Sequence, residues 1–395
     1  MKRKAASARL LKDLNRSGIF DLFRQYGTLS RSQIADRLNM SFPTAKRIID
    51  ELIAEQLVLD VGFESDSSVG RPRTLLRLNN GLHTVIGIDL GGTKMLGVVA
   101  DLSGNILYDA ILPSLPQEPE RNIQQVFKLI DDLIAYPPLQ GRILLGIGVG
   151  APSITLFEQG VVVWAPSLGW RDFPLRDLLQ QRYKLPVFVE NDVNMAALGE
   201  LGFGAGLGVK NFATIAIGTG IGAGIVLGGM LYRGATQAAG EIGYLPPGVD
   251  YLGRSYDQFG PLEELASGIG IEERARRYLR ENHRDILETA PTAEEVFQLA
   301  RSGEEWAEHI IEETVRYLAM AVASLACVLN PEVIILGGGV GRSADLLIQP
   351  IHDCVAGIVP YMPRIVASPL KSMAGVMGAI TLVFNEVMDY AIIPQ

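Results

Sequence analysis

The chain has 395 residues, 48% of them hydrophobic and 20% charged, and a formal net charge of −9. That length exceeds one core and asks for two or three domains, and the composition suits a soluble, well-buried globular protein. No apolar run approaches the ~18 residues needed to span a bilayer. The N-terminus is basic but has no apolar segment of a secretory signal behind it, so a cytoplasmic protein without membrane partners is expected. The two cysteines, Cys327 and Cys354, stand in apolar surroundings and are expected to be buried and reduced; lacking CxxC spacing, they exclude a cysteine-based zinc site.

Charge is unevenly divided. Residues 1–80 hold 14 Lys and Arg against 9 Asp and Glu, while the remainder holds 21 against 35. A basic head on an acidic body points to a polyanion met by the head alone.

The head reads as three helices. Ile19, Leu22 and Phe23 recur at helical spacing. Ser30 is placed to cap a helix in which Ile34, Ala35 and Leu38 share a face. Ser41 then caps a longer helix with Pro43 in its first turn and Ile48, Leu52 and Ile53 toward the core. Helix, tight turn and helix in that order make a helix-turn-helix, whose second helix enters the major groove. Ser41, Thr44, Lys46 and Arg47 lie at the end that would meet DNA. Two alternating runs around "GFESDSSVGRPR" form a wing, with Arg71 and Arg73 at a stiff tip suited to a narrow minor groove. One head per chain implies a dimer on paired half-sites.

The body opens with "VIGIDLGGTKMLGVVAD", two apolar runs around a turn of Asp89, Gly91, Gly92, Thr93 and Lys94. A third strand, an amphipathic helix and the buried strand "ILLGIGVGAP" follow. The pattern recurs at "NFATIAIGTGIGAGIVLGGML", whose turn is Gly218, Thr219 and Gly220, and "VIILGGGVG" ends another strand in Gly338 and Gly339. Each turn alone reads equally as hairpin or close packing. Three in this order suggest backbone amides facing phosphates, and an α/β body of two duplicated lobes with a cleft between them. Between the repeats, "VFVENDVNMAALGE" is a strand ending in Glu190-Asn191-Asp192 before a helix from about Asn194. Asp192 there is either a base for a sugar hydroxyl, with Asn191 orienting the sugar, or a helix cap.

The ordered motifs "GIDLGGTK", "GVGAP", "APSLGW", "VENDVNMAALGE", "GTGIGAGIV", "GEIG" and "LGGGV" resemble the ROK family of repressors, open reading frames and kinases. The winged head is similar to that of its xylose- and N-acetylglucosamine-type sugar repressors. The resemblance implies a winged helix-turn-helix over 1–80 and a two-lobed actin-like ATPase fold. Its lobes would be 82–203, joined by the C-terminal helix 374–395, and 204–373. It implies dimers or tetramers, operator DNA as partner and a monosaccharide effector between the lobes. It places Asp89 near Mg-ATP, makes Asp192 the base of any kinase reaction, and has Asn191, Glu241 and Glu263 hydrogen-bond a hexose.

Two departures stand out. Tyr244 replaces the family's zinc-binding His, and Arg254, Tyr256 and Pro261 stand where its three cysteines belong, so no structural zinc is expected. Packing of Tyr244, Leu245, Tyr251, Tyr256 and Phe259 is expected to hold that loop instead. Ser167 stands where family kinases often carry Asn. The expected protein is a sugar-responsive repressor. The retained phosphate-type turns leave Mg-ATP open as a cofactor and an ATP-dependent sugar kinase with a DNA-binding head as the alternative.

Overall fold

The computed structural model describes residues 15–63, 73–256, 259–282 and 291–390. Its contacts divide the chain into two units. One holds Met1–Ala151, Glu158–Val189 and Ala379–Gln395, and the other holds Pro152–Phe157 and Glu190–Gly378.

The first unit begins with the head. Helix α1 covers residues 15–26, followed by β1 (Leu29–Ser30), α2 (Arg31–Arg37), α3 (Phe42–Ala54), β2 (Val58–Phe63) and β3 (Thr74–Leu78). The three strands form one sheet in the order β1-β3-β2. Ser30 and Gln33 make a reciprocal capping box at α2, and Ser41 accepts from the Thr44 amide at the start of α3. Ile19, Phe20, Phe23, Ile34, Ile48, Ile49 and Leu52 fill the core of the head. Ile49 takes the inward place expected of Ile53, which is only half-buried, because 48, 49 and 52 share the face turned to α2. We expect Ser30→Ala to cost about 1 kcal/mol. Hydrogen exchange of the first-turn amides of α2 checks this, with a rise of about fivefold expected.

The head is seated on the body through α1. The Arg24 guanidinium lies 4.2 Å from the centre of the Phe384 ring. The body part of this unit runs β4 (His83–Leu90), β5 (Lys94–Asp101), β6 (Ile106–Pro113), α4 (Pro119–Ile134) and β7 (Ile143–Ala151). After β8 (Thr155–Leu156) come β9 (Val161–Ala165), β10 (Trp170–Phe173), α5 (Leu175–Tyr183) and β11 (Val187–Asn191). The main sheet has the order β11-β7-β4-β5-β6, with β4 antiparallel to β5 and parallel to β7. Gly97 pairs with Ile88 and Gly148 with Gly87, so the two glycines face opposite sides of the sheet. Gly97 lies under Leu129 and Leu133 of α4, and Gly148 lies against the Ala379 carbonyl of the final helix, α13 (Ala374–Tyr390). Helices therefore cover both faces.

The second unit continues with α6 (Asp192–Phe203), β12 (Phe212–Ile217), β13 (Ile221–Leu227) and β14 (Met230–Leu231). Then follow α7 (Glu263–Ala266), α8 (Gly268–Glu281), α9 (Ala293–Arg301), α10 (Glu305–Leu329), β15 (Val333–Gly337), α11 (Gly338–Gly341), α12 (Ala344–Val355) and β16 (Arg364–Ala367). Its sheet, β14-β13-β12-β15-β16, has the same strand order as the first: third strand, second, first, fourth, fifth. The duplication read from the two glycine-turn hairpins is thus a duplication of whole sheets. Phe212 and Val226 pack with Ala197 of α6, while Ala213 and Ile215 pack into the larger core under α10.

Both cysteines are exposed, against expectation. The second half of α10 carries no charge, so its outward stripe of Met320, Ser324, Cys327 and Val328 has the composition of a core. Burial on α10 follows Leu318, Ala321, Val322 and Leu325, which leaves Cys327 on the other face. Cys354 lies outside the inward positions Leu347, Ile351 and Val355 of α12 in the same way. No helix among the described residues is long and apolar enough to cross a membrane.

Candidate functional site

The DNA-facing candidates lie on α3. Ser41 and Thr44 bond each other through their hydroxyls at 2.8 Å at the helix start. Lys46 contacts Asp50 at 2.7 Å, Arg47 contacts Glu51 at 3.0 Å, and Arg31 of α2 reaches Asp50 at 2.8 Å. The Lys46 and Arg31 hydrogen bonds hold the Asp50 carboxyl below the usual range. Exposed pairs of this kind contribute little to stability, so phosphates can take the cations over. Arg73 is exposed at the start of the returning wing strand. Arg71 lies outside the described residues.

In the first unit, the turn after β4 is closed by Gly91 N donating to the Lys94 carbonyl at 3.0 Å and Ser114 Oγ donating to the Gly91 carbonyl at 2.6 Å. Thr93 and Lys94 are exposed. Asp89, at the inner end of the turn, is desolvated by burial and pushed up to about 6, with only Lys94 pulling the other way. A carboxylate so poorly compensated fits a cation, and therefore fits the Mg²⁺ of a nucleotide. Ser167 lies against Gly92 of this turn. Its immediate neighbour is thus the phosphate-type turn, where sequence reasoning grouped it with the sugar residues.

The second unit assembles most of the other candidates. Asn191 is the N-cap of α6, which begins at Asp192 rather than near Asn194. Its Oδ1 accepts from Val193 N at 2.9 Å and Asn194 N at 3.0 Å, and its Nδ2 donates to the Ser153 carbonyl at 2.9 Å and to Asp192 Oδ1 at 3.2 Å. The Asn191 amide is therefore fully engaged by protein. Asp192 Oδ1 also accepts from Val193 N at 2.8 Å, so this carboxylate takes part in the helix start as well.

Glu263 opens α7 and accepts from Ile221 N at 2.9 Å and from Gly260 N at 2.8 Å. The first bond ties it to the end of the Gly218–Thr219–Gly220 turn, and the Gly218 carbonyl accepts from Gly268 N at the start of α8. Glu241 is raised by burial and by the Glu263 charge, and Tyr244 by burial and then by Glu263 and Glu241. These three groups thus share one electrostatic neighbourhood. Tyr244 is 50% exposed and does not pack the loop as expected. Leu245 packs on the core, and Tyr251 carries Arg254 over its ring at 5.2 Å. Gly338, at φ +80°, packs against Ile217 at the end of β12, and Gly339 is open above it. Among the described residues no group of three or more His, Cys, Asp or Glu is disposed to hold a metal ion.

Sequence reasoning placed Glu190 at a strand end without giving it a role and passed over Arg233. Glu190 is 1% exposed at the end of β11, and its Oε2 accepts from Arg233 Nε at 2.6 Å. A carboxylate ending an apolar strand was the available signal; its partner, 43 residues further on, had none.

A head of three helices and a three-stranded sheet, and a body of two like-ordered, five-stranded α/β sheets, each opening with a glycine-turn hairpin, define the class: a head-bearing relative of the actin-like sugar kinases. Within that class the chain belongs to the ROK family, whose profile matches residues 85–386. It is 28% identical over 391 residues to the xylose repressor of Caldicellulosiruptor bescii, covering 96% of this chain and 98% of that one. Among solved structures, a ROK family transcriptional regulator described as a homologue of the E. coli MLC protein superposes with a TM-score of 0.81 at 24% identity. It covers 96% of this chain and 98% of its own. A ROK family glucokinase from Streptomyces griseus, solved with glucose and AMPPNP, gives a TM-score of 0.67 at 30% identity, over 76% of this chain and 98% of its own.

Proposed function

We propose that the protein is a sugar-responsive DNA-binding transcriptional repressor. The observation that carries this reading is the extent of the match: the xylose repressor aligns over head and body together, the glucokinase over about three quarters of the chain. In this reading the domain of residues 1–80 binds operator DNA through Ser41, Thr44, Lys46, Arg47, Arg71 and Arg73. Two copies of the chain occupy paired half-sites. The body is partitioned as 82–203 with 374–395, and 204–373. Asp192, Glu241, Tyr244 and Glu263 bind the hydroxyls of a monosaccharide, and Asn191 sets the pose of Asp192. A sugar releases DNA only by binding the DNA-free form more tightly than the bound one.

The test is DNA binding by the full-length protein to genomic fragments enriched on it, titrated with pentoses, hexoses and amino sugars. One sugar should weaken binding at least tenfold, a coupling of about 1.4 kcal/mol. Unchanged affinity at saturating concentration of every sugar overturns the reading.

Asp89 favours a second activity, ATP-dependent sugar phosphorylation. Asp89, Thr93, Lys94 and the turns at Gly91–Gly92, Gly218–Gly220 and Gly338–Gly339 would hold Mg-ATP, which would supply the phosphoryl group. Asp192 would accept the proton of the attacking hydroxyl. Phosphoryl transfer lost in Asp192→Asn would establish it. The substitution keeps an acceptor for Val193 N, so the fold should remain.

A further inference from the structure

The candidate sugar residues of the second unit come from two stretches far apart in sequence. One is the corner between β11 and α6, which carries Asn191 and Asp192. The other is the segment after β14, which leads to Glu241 and Tyr244. A side-chain link from that segment back to the corner is the bond from Arg233 to Glu190.

Glu190 is buried directly before Asn191. Its Oε1 accepts from the Asn191 backbone N at 2.9 Å and from Asn194 Nδ2 at 3.0 Å, so one carboxylate oxygen holds both the cap residue and the first turn of α6. Its Oε2 is held by Arg233 at 2.6 Å. The Arg233 guanidinium also lies over the Phe157 ring at 4.1 Å, and Phe157 N donates to Gln237 Oε1. The Arg233 carbonyl accepts from Ala239 N at 3.0 Å, and the Gly240 carbonyl accepts from Ala223 N at 2.7 Å. The loop that starts at Arg233 is thereby closed and anchored on β13 just before Glu241.

We infer that Arg233 is a positioning residue for sugar recognition: through Glu190 it fixes Asn191 and Asp192 relative to the loop bearing Glu241 and Tyr244. The inference rests on the sugar-sensing reading above. The guanidinium suits the task because it donates through Nε in its plane while presenting its face to an aromatic ring, two contacts that one ammonium cannot make together. The carboxylate suits it because two oxygens join three donors from three places in the chain. Placement matters because a small shift of an acceptor removes a sugar hydrogen bond without unfolding anything.

The experiment compares wild type, Arg233→Lys, and the paired variant Arg233→Met with Glu190→Gln. The paired variant removes both charges together and leaves no buried carboxylate without its cation. Each full-length protein is titrated calorimetrically with D-xylose and D-glucose, and its thermal melt and sugar-free DNA binding are recorded. The paired variant should melt cooperatively and bind DNA as the wild type does, yet lose tenfold or more in affinity for the sugar the wild type binds. Arg233→Lys should recover part of that loss. A folded paired variant with wild-type sugar affinity overturns the inference and leaves the sugar-sensing reading intact. A parallel fall in melting temperature and DNA binding also overturns it, because the pair is then structural. Wild type that binds neither sugar, and whose DNA binding no other sugar changes, removes the ground for both.

Discussion

Glu263→Ala is expected to destabilise the second unit by roughly 2–5 kcal/mol and to abolish sugar binding, whereas Asp192→Asn is expected to abolish sugar-dependent function with little loss of stability. The difference follows from what each carboxylate holds. Glu263 receives two backbone amides, Ile221 N and Gly260 N, from two separate segments. Truncation leaves both donors without an acceptor, and a buried donor left unpaired costs about 1–3 kcal/mol. The Gly218–Gly220 turn would lose one of its braces together with the candidate sugar contact. Glu263→Gln supplies one acceptor oxygen and sets an N–H₂ group toward the other amide, so it should fall between wild type and Ala. Asp192, by contrast, keeps on conversion to Asn an oxygen for Val193 N and Asn191 Nδ2, both of which bond its Oδ1. Thermal melts of the three variants beside calorimetric sugar titrations check the ranking. Equal stability of Glu263→Ala and wild type would show that the two amides find other acceptors.

This dual employment explains which parts of the site were legible in the sequence. The turns at Asp89–Lys94 and Gly218–Gly220 stood out because glycine and threonine interrupt long apolar runs, a local pattern. The helix starts at Ser30 and Ser41 were readable for the same reason, since a cap and its amide are neighbours in the chain. The start of α6 lies at Asp192, two residues before the expected Asn194, and its cap is Asn191 rather than Asp192, because Asn191, Asp192 and Asn194 are all competent cap residues. Only the strand's end, set by sheet pairing, decides among them. The exposure of Cys327 was hidden by an uncharged helix face that has the composition of a core. The Glu190–Arg233 pair was hidden by distance, since nothing local to either residue reports the other. The replacement of the family's zinc ligands was plain, but its consequence was not. Tyr244 turns half outward beside Glu241 and Glu263 rather than filling the gap, so the change bears on the site more than on the loop's core.

The remaining large effect belongs to Asp89. Asp89→Asn is expected to stabilise the sugar-free, nucleotide-free protein above neutral pH, by on the order of 1–3 kcal/mol. Burial raises Asp89 from 3.8 to about 6, and Lys94 only partly offsets it. A carboxylate raised in the folded state binds its proton more tightly there than in the unfolded chain. Its contribution to stability is therefore complete below the unfolded value and is lost as pH rises through about 6. Above that, wild type holds a desolvated charge that the Asn variant lacks. The variant's advantage should be absent at pH 4, grow between pH 4 and 6, and level off by pH 8, read from melting temperatures at each pH. Addition of Mg-ATP supplies the opposing arm. If the turn holds the nucleotide, wild type should gain stability from it at pH 8 and the variant much less, because a ligand stabilises only the form it binds. A variant no more stable than wild type at pH 8 would mean that Asp89 is compensated in solution. A pH-dependent gain with no response to Mg-ATP would mark the turn as a scaffold. In that case a protein has kept an unfavourable buried charge without the cation that would justify it, and the kinase reading loses its support while the repressor reading stands.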